Sequence, residues 1–353
     1  MISYPARFIT ANLRRRFNMP SDPFLLNYSL TFRCNLDCKY CGVSRLKNNY
    51  SQEELGCKDI SDFLSDKALR NLDVVVVTGG EPFLKEDLVQ ILLEFKKKTQ
   101  ASIIHVTTNG FLTDKIVDAV SFLVSRGLVI DLKISIDDIG EGHDILRGRT
   151  GSFRTAILTM ERLRSLIRNE GMFLGINQTV YADNFESIPE VKKMAAEFGA
   201  EYLGFVGLKN RPLFSDSGDC DFSLVDLDRE ARDFVVEELG NCRRKHVFSG
   251  GLSNCLETLI IGHYVRGQLD LLRNRLIRHR CMNLFTHLRL NPNGDIMTCS
   301  YDTEVLGNIR LDSYSGIMAK QTTKKKLRKV KSCGKCWLGC EVSPSWVSSL
   351  CLG

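Results

Sequence analysis

The chain has 353 residues, 43% hydrophobic and 25% charged, a balance that suits a globular protein and excludes disordered or collagen-like chains. Its 48 basic and 42 acidic residues leave a formal charge of +6, too mild to indicate a nucleic-acid partner. The longest aliphatic run, Val74–Val77, falls far short of the ~18 apolar residues of a membrane span, and no apolar region follows Arg7 and Arg14–Arg16 to make a signal peptide; a cytoplasmic protein is expected.

At the N-terminus, Arg14–Arg16 among Phe8, Ile9, Leu13 and Phe17 predict either a membrane-surface helix or a helix capping the domain that follows. From residue 25 to about 240, strand-like and helix-like segments alternate. Strands are predicted at Leu25–Phe32, Asp73–Thr78, Ser102–Thr108, Val129–Ile136, Phe173–Val180 and Glu201–Gly207. Helices are predicted at Ile60–Asn71, Lys85–Thr99, Asp114–Arg126, Ser152–Asn169, Ile188–Phe198 and, after a polar stretch at Lys209–Asp221, about Leu227–Leu239. Six such strands predict a parallel sheet with right-handed crossovers, and their Val and Ile content reads as apolar on both faces. The loop holding Cys34, then Thr78–Pro82, Thr107–Gly110 and Ser135–Asp137, all fall at the C-terminal ends of strands, the rim where such sheets place their sites.

Beyond about residue 250 the texture changes. Leu256–Arg280 reads as a basic amphipathic connector, and Leu288–Leu290 with Asp295–Thr298 reads as a hairpin around Asn291-Pro292-Asn293-Gly294. Lys324, Lys325, Lys326, Arg328, Lys329 and Lys331 crowd one segment, either a solvated helix face or a docking site for an acidic electron donor or partner.

Thirteen cysteines cannot all pair within one chain, and their short spacings point to metal or redox chemistry. Cys34, Cys38 and Cys41 stand at i, i+4 and i+7, so one loop can wrap them around a metal centre. Three thiolates are one fewer than a cubane or a structural zinc takes, which leaves an open coordination site. A zinc ion completed by a distant residue is the competing reading. Cys57, Cys220, Cys242 and Cys255 read as small hydrophobes, and the six histidines form no HxxH or HExxH pair.

CX3CX2C after the first strand, with the aromatic Tyr40 before the third cysteine, resembles the radical S-adenosylmethionine (radical SAM) superfamily. The resemblance implies that Cys34, Cys38 and Cys41 hold three irons of a 4Fe–4S cluster whose fourth iron chelates SAM. It also implies reductive cleavage of SAM to a 5′-deoxyadenosyl radical that abstracts a substrate hydrogen. Gly79-Gly80-Glu81-Pro82 is similar to the family's GGEP motif at the SAM amino group, and Thr108-Asn109 lies in a TNG-like end of the third strand. The run from Ile134 through Ser135, Asp137 and Arg147 to Phe153 resembles the fourth-strand region of the peptide- and cofactor-maturase branch. By this resemblance Ser135 faces SAM; Arg147 either meets its carboxylate or is an exposed surface arginine. Asn177 and Thr179 are candidates for the same pocket, and Phe205 and Val206 are read as core.

Cys281, Cys299 in a GX4C hairpin, and CX2CX3C at Cys333, Cys336 and Cys340 form a second constellation, for which zinc is the competing occupant. It resembles the SPASM auxiliary-cluster domain or its shortened form, twitch. The CX5C element of a full SPASM domain is missing, so one auxiliary 4Fe–4S cluster is expected, on Cys281, Cys299 and two of Cys333, Cys336 and Cys340; Cys351 is unassigned. The expected fold is α/β: a partial (β/α)6 radical SAM barrel at 25–250 behind an N-terminal extension at 1–24. A helical connector at 251–280 and a small cysteine-rich auxiliary domain with a hairpin at 281–353 complete it. The expected function is biosynthesis of a small molecule or modified product, with the auxiliary cluster accepting an electron or positioning the substrate. The shortened domain favours a dehydrogenase; peptide or cofactor maturation, lipid carbon–carbon bond formation and a non-catalytic iron–sulfur or zinc protein are the alternatives. A small-molecule or peptide substrate and a flavodoxin- or ferredoxin-type donor are the expected partners.

Overall fold

Alternation along β1 (Leu25–Thr31) turns Leu26, Tyr28 and Leu30 to one face and Asn27, Ser29 and Thr31 to the other. The same two-sided pattern recurs in β2 (Val74–Gly79), β3 (Ile103–Thr108), β4 (Val129–Ser135), β5 (Met172–Val180) and β6 (Glu201–Val206). The computed structural model describes residues 4–43, 53–101, 103–167, 171–207, 227–240, 252–273, 275, 280–300, 302, 304–334, 336–337 and 345. Within it these six strands pair in parallel and in sequence order.

One face of this sheet is covered by helices. In α3 (Leu88–Lys98) the buried Leu88, Ile91, Leu92 and Phe95 follow the i, i+3, i+4, i+7 stripe, and Phe95 packs on Tyr28 with ring centroids 6.5 Å apart. Each such side chain contributes about 1.5–3 kcal/mol of burial. α1 (Tyr4–Arg16), α2 (Cys57–Phe63), α4 (Thr113–Ser125), α5 (Glu141–Arg147), α6 (Ser152–Leu163), α7 (Ile188–Phe198) and α8 (Arg229–Gly240) are the other α-helices among the described residues of this part. Ala11 of α1 enters the core, and Arg15 donates to the carbonyls of Cys281 and Lys331, so α1 packs against the C-terminal part of the chain.

The other face is mixed, with Val74 and Val76 of β2 beside polar groups, which corrects in part the reading of strands apolar on both sides. β4 carries Asp131, Lys133 and Ser135 there, because this face lines the lumen and meets no helix stripe. Two helices are shorter than expected. The segment 60–71 stops at Phe63 and resumes as a 3-10 turn at Lys67–Leu69, because Asp66 accepts from Ala68 N and starts a new cap. The helix from Ser152 ends at Leu163.

α9 (Leu252–Leu272) lies along β6. Gln268 accepts from Val206 N at 2.8 Å and donates to Gly204 O at 3.3 Å, satisfying an edge strand that has no further partner strand among the described residues. β7 (His287–Leu290) then pairs in parallel with β1, and β8 (Asp295–Met297) and β9 (Val305–Asn308) follow antiparallel. The resulting nine-stranded sheet runs β6-β5-β4-β3-β2-β1-β7-β8-β9 and does not close, so the barrel is partial. α10 (Tyr314–Ala319) and α11 (Gln321–Ser332) pack Ile317, Met318, Leu327 and Val330 behind the hairpin. No helix among the described residues is long and apolar enough to cross a membrane.

Candidate active site

The loop after β1 carries Cys34, Cys38 and Cys41, and the ends of the next strands fasten it. Gly80 N donates to Thr31 O at 2.7 Å and Glu81 N to Arg33 O at 2.8 Å. A Cβ on Gly79, at φ +128°, would fall 2.2 Å from Thr31 O, and one on Gly80 would fall 2.1 Å from Arg33 O. The close approach these glycines permit is therefore to the cysteine loop's own backbone. Opposite, Lys39 N donates to Leu146 O at 2.8 Å and Arg149 to Asn35 O at 3.1 Å. Tyr40 stacks on Tyr181 with centroids 3.9 Å apart, and its hydroxyl donates to Asp183, which also pairs with Lys39.

Glu81 is wholly enclosed. It accepts from Phe83 N, Thr108 Oγ1 and Asn109 N, so it ties β2 to β3, and burial pushes its pKa up to about 7. Pro82 opens the 3-10 turn behind it. Asn109 Nδ2 bonds Asn35 at 2.8 Å and lies 3.9 Å from Cys34 Sγ. Burial pushes the Cys34 thiol up to about 11, and the charges of Glu81, Cys38 and Cys41 add to the rise.

Arg147 is largely enclosed, with 12% of its side chain exposed, and it is turned toward the cysteine loop rather than out to solvent. Its Nη2 lies 2.9 Å from Asp137 Oδ2 and its Nη1 lies 3.9 Å from Cys38 Sγ. Asp137 Oδ1 accepts from Thr179 N at 2.9 Å, and Asp137 N donates to His143 Nδ1 at 3.2 Å. Burial pushes His143 down to about 3, with the Arg147 charge adding, so the ring is neutral. Ser135 stands level with Asn177 on β5. The four strand-end segments expected at one rim thus meet there, whereas Val206 packs in a core cluster and Phe205 packs near Tyr264.

This set suits a cluster and its SAM ligand. Two side-chain donors face cysteine sulfurs, and Asn35 Nδ2, Arg147 Nε and Asn177 Oδ1 are buried with no hydrogen-bond partner among the described residues. Among the described residues no three His, Cys, Asp or Glu side chains converge on a single-ion site. Thiolates of a cubane bind separate irons and need no common point.

Lower in the lumen lies a charged group the motif reading missed. His105 and Lys133 lie 2.6 and 2.9 Å from the Asp131 carboxylate, and Lys133 bridges to Glu201 at 2.6 Å. Burial alone would lower Lys133, yet the two carboxylates hold it above the usual ammonium range. Its signal was legible: Asp131 and Lys133 alternate within an otherwise apolar strand.

At the other end of the sheet Cys281 is buried. Its N–H donates to Cys333 O at 3.4 Å, and its thiol is held well above its ordinary range by a hydrogen bond with Cys333, then burial, with the Cys336 charge adding. Cys299 follows β8; Cys340 and Cys351 lie outside the described residues. Cys281 precedes the parallel β7 and Cys299 follows the antiparallel β8, so both sit at the rim opposite Cys34, about 20 Å away along β1.

Residues 28–197 match the Radical SAM superfamily, and residues 281–340 match SPASM, an iron–sulfur cluster-binding domain. The partial barrel with its cysteine rim is the architecture of the radical SAM superfamily, whose domain the chain carries over residues 28–197. It also carries a SPASM domain over residues 281–340, and the two domains imply a 4Fe–4S cluster, SAM and auxiliary iron–sulfur clusters. The chain is 26% identical to Fe-coproporphyrin III synthase of Methanosarcina barkeri over 230 residues, 65% of this chain and 55% of that one. It is 24% identical to mycofactocin maturase MftC of Mycolicibacterium smegmatis over 319 residues, 89% of this chain and 74% of that one. The crystal structure of Streptococcus suis SuiB bound to precursor peptide SuiA superposes with a TM-score of 0.61 at 16% identity, covering 90% of this chain and 69% of that one, which shows a shared fold. The chain spans about half the length of the first curated relatives it matches.

Proposed function

We propose that the chain is a radical SAM enzyme that modifies a biosynthetic substrate held between its two cysteine rims. When bound, the cluster and SAM supply a 5′-deoxyadenosyl radical that takes a substrate hydrogen. In this reading Cys34, Cys38 and Cys41 hold the cluster, and Arg147 and Asn109 donate to its sulfurs. Ser135, Asn177 and the Gly79–Pro82 turn frame SAM, Tyr40 fixes the loop against β5, and Asp137 and Glu81 position Arg147, Thr108 and Asn109. The observation that carries the reading is the pair of donors, Asn109 and Arg147, each 3.9 Å from a cysteine sulfur.

In the domain division proposed, 1–24 is an extension, 25–250 the barrel, 251–280 a connector and 281–353 the auxiliary domain. Cys281, Cys299 and two of Cys333, Cys336 and Cys340 would hold one auxiliary cluster, which would supply a one-electron acceptor for an oxidoreductase-type reaction. A flavodoxin- or ferredoxin-type donor in the cytoplasm supplies the first electron, and the exposed Lys324, Lys325, Arg328, Lys329 and Lys331 of α11 offer it a basic face. A second reading, maturation of a peptide or cofactor precursor, is favoured by the names of the relatives. Anaerobic reconstitution followed by assay for 5′-deoxyadenosine tests the common part. A Cys34/Cys38/Cys41→Ala chain that still cleaves SAM would refute it.

A further inference from the structure

Arg289 lies in the middle of β7, and alternation fixes its direction. Leu288 and Leu290 join the helix-covered core, so Arg289 points to the lumen face. It stands between Asn27 of β1 and Met297 of β8 and is only 5% exposed. Among the described residues its guanidinium makes no hydrogen bond or ion pair, and its Nε is buried without a partner. A guanidinium cannot shed its proton to escape burial, so a position like this calls for an anion from outside the chain. None of the side chains flanking it supplies one. On β1 the lumen face offers Asn27, Ser29 and Thr31, and on β2 Val74, Val76 and Thr78. The nearby carboxylates are engaged elsewhere: Asp295, on the same face of β8, is held by Asn293 and Asn308, Glu54 at Thr31 pairs with Arg33 and Lys85, and Asp131 and Glu201, at least four strands from β7, are engaged by Lys133. Ser29 Oγ and Asn291 Oδ1, on the same face of β1 and just past β7, are also buried without partners among the described residues.

We propose that Arg289 binds an oxyanion of the substrate, a carboxylate or a phosphate, gripped by the guanidinium fork with Ser29 as a further donor. The proposal rests on the radical SAM reading for the word substrate, and it assigns that substrate a negatively charged end. The anion of SAM itself is a poor candidate for this position. Arg289 is level with Asn27, four residues below Thr31, and so about 13 Å down the strand from where the cysteine loop departs. It lies between the two rims, where a substrate must sit to meet both the radical and the auxiliary cluster.

The test uses the reconstituted full chain with Arg289→Met and Arg289→Lys, and thermal melting with inorganic phosphate or acetate as probes. Removing an uncompensated buried charge raises the melting temperature of Arg289→Met above wild type in the absence of either probe. One of the two anions raises the wild-type melting temperature saturably, leaves Arg289→Met unmoved and gives Arg289→Lys less than half the wild-type shift. Which anion acts separates phosphate from carboxylate. A lower melting temperature or failed folding of Arg289→Met would make Arg289 a structural residue and overturn the proposal. So would equal shifts in wild type and mutant, no shift with either anion, or tenfold weaker SAM binding by Arg289→Met in equilibrium dialysis. None of these readouts needs turnover. A chain that makes no 5′-deoxyadenosine yet binds the anion through Arg289 refutes the radical reading and leaves the anion site standing.

Discussion

Arg147 reaches 3.9 Å from the Cys38 sulfur with one nitrogen and holds the Asp137 carboxylate at 2.9 Å with another. One side chain at the end of α5 thus joins the cysteine loop to the turn after β4. Both partners are almost fully enclosed, so the pair is worth most through the damage its rupture does. Arg147→Met strands a buried carboxylate and is expected to cost about 3–5 kcal/mol in chemical denaturation. Arg147→Lys keeps the charge without the fork and is expected to lose less. Equal stability of Arg147→Met and wild type would show that Asp137 finds another partner.

Gly80→Ala is expected to remove iron and SAM binding together. The added Cβ lands 2.1 Å from Arg33 O, one residue before Cys34, and backbone rather than a side-chain tip must move. Gly262, within α9, has open space where a Cβ would stand, with nothing within 4 Å, and Gly262→Ala is expected to stabilise by about 0.5–1 kcal/mol with iron unchanged. Full iron content in Gly80→Ala alongside lost SAM affinity would assign Gly80 to the ligand alone.

Much of this site was legible because its parts are local in sequence. CX3CX2C, Gly79–Pro82 and Thr107–Gly110 each sit at the end of a strand whose Val and Ile pattern marks it, and the parallel topology then brings them to one rim. Arg147 was ambiguous because its burial depends on α5, a seven-residue helix too short to show a period. Of the Lys133 group only Asp131 and Lys133 share a strand, so their alternation shows in the sequence while the partnership of His105 from β3 and Glu201 from β6 does not. Arg289 was hidden for a related reason. Its four-residue strand reads as a hairpin arm, and its parallel pairing with β1, which turns it into the lumen, is a contact more than 250 residues apart in sequence.

Stability is expected to fall with acid in a way that involves His143. Its folded-state pKa is pushed down to about 3, below its ordinary value of about 6.5. A depressed histidine contributes stability that is fully present above about pH 6.5 and is lost as pH falls from there toward 3. The slope reaches at most about 1.4 kcal/mol per pH unit. His143→Gln keeps an acceptor for Asp137 N without titrating, so urea denaturation at about pH 7.5 and about pH 5 should show a smaller loss than wild type. An unchanged difference between the two pH values would place the acid sensitivity elsewhere.

The last prediction concerns the rim opposite Cys34. Two four-iron sites give about eight irons per chain, and the Cys34/Cys38/Cys41→Ala chain should retain about four. Cys281 is buried against Cys333 with Cys336 nearby, so Cys281→Ala removes a thiol from a group already gathered and should impair that remainder. Cys299→Ala is expected to do the same from the end of β8. Both variants should fold, because the helix-covered core takes Leu288, Leu290 and Ile296 from the hairpin and owes little to a thiol. They should also form 5′-deoxyadenosine while losing product, which would place the auxiliary cluster after radical formation. About twelve irons per chain would instead mean that Cys351 and a further thiol complete another cubane. Stoichiometric zinc with only about four irons in native anaerobic preparations would make the C-terminal site structural and remove the support for an oxidative reaction.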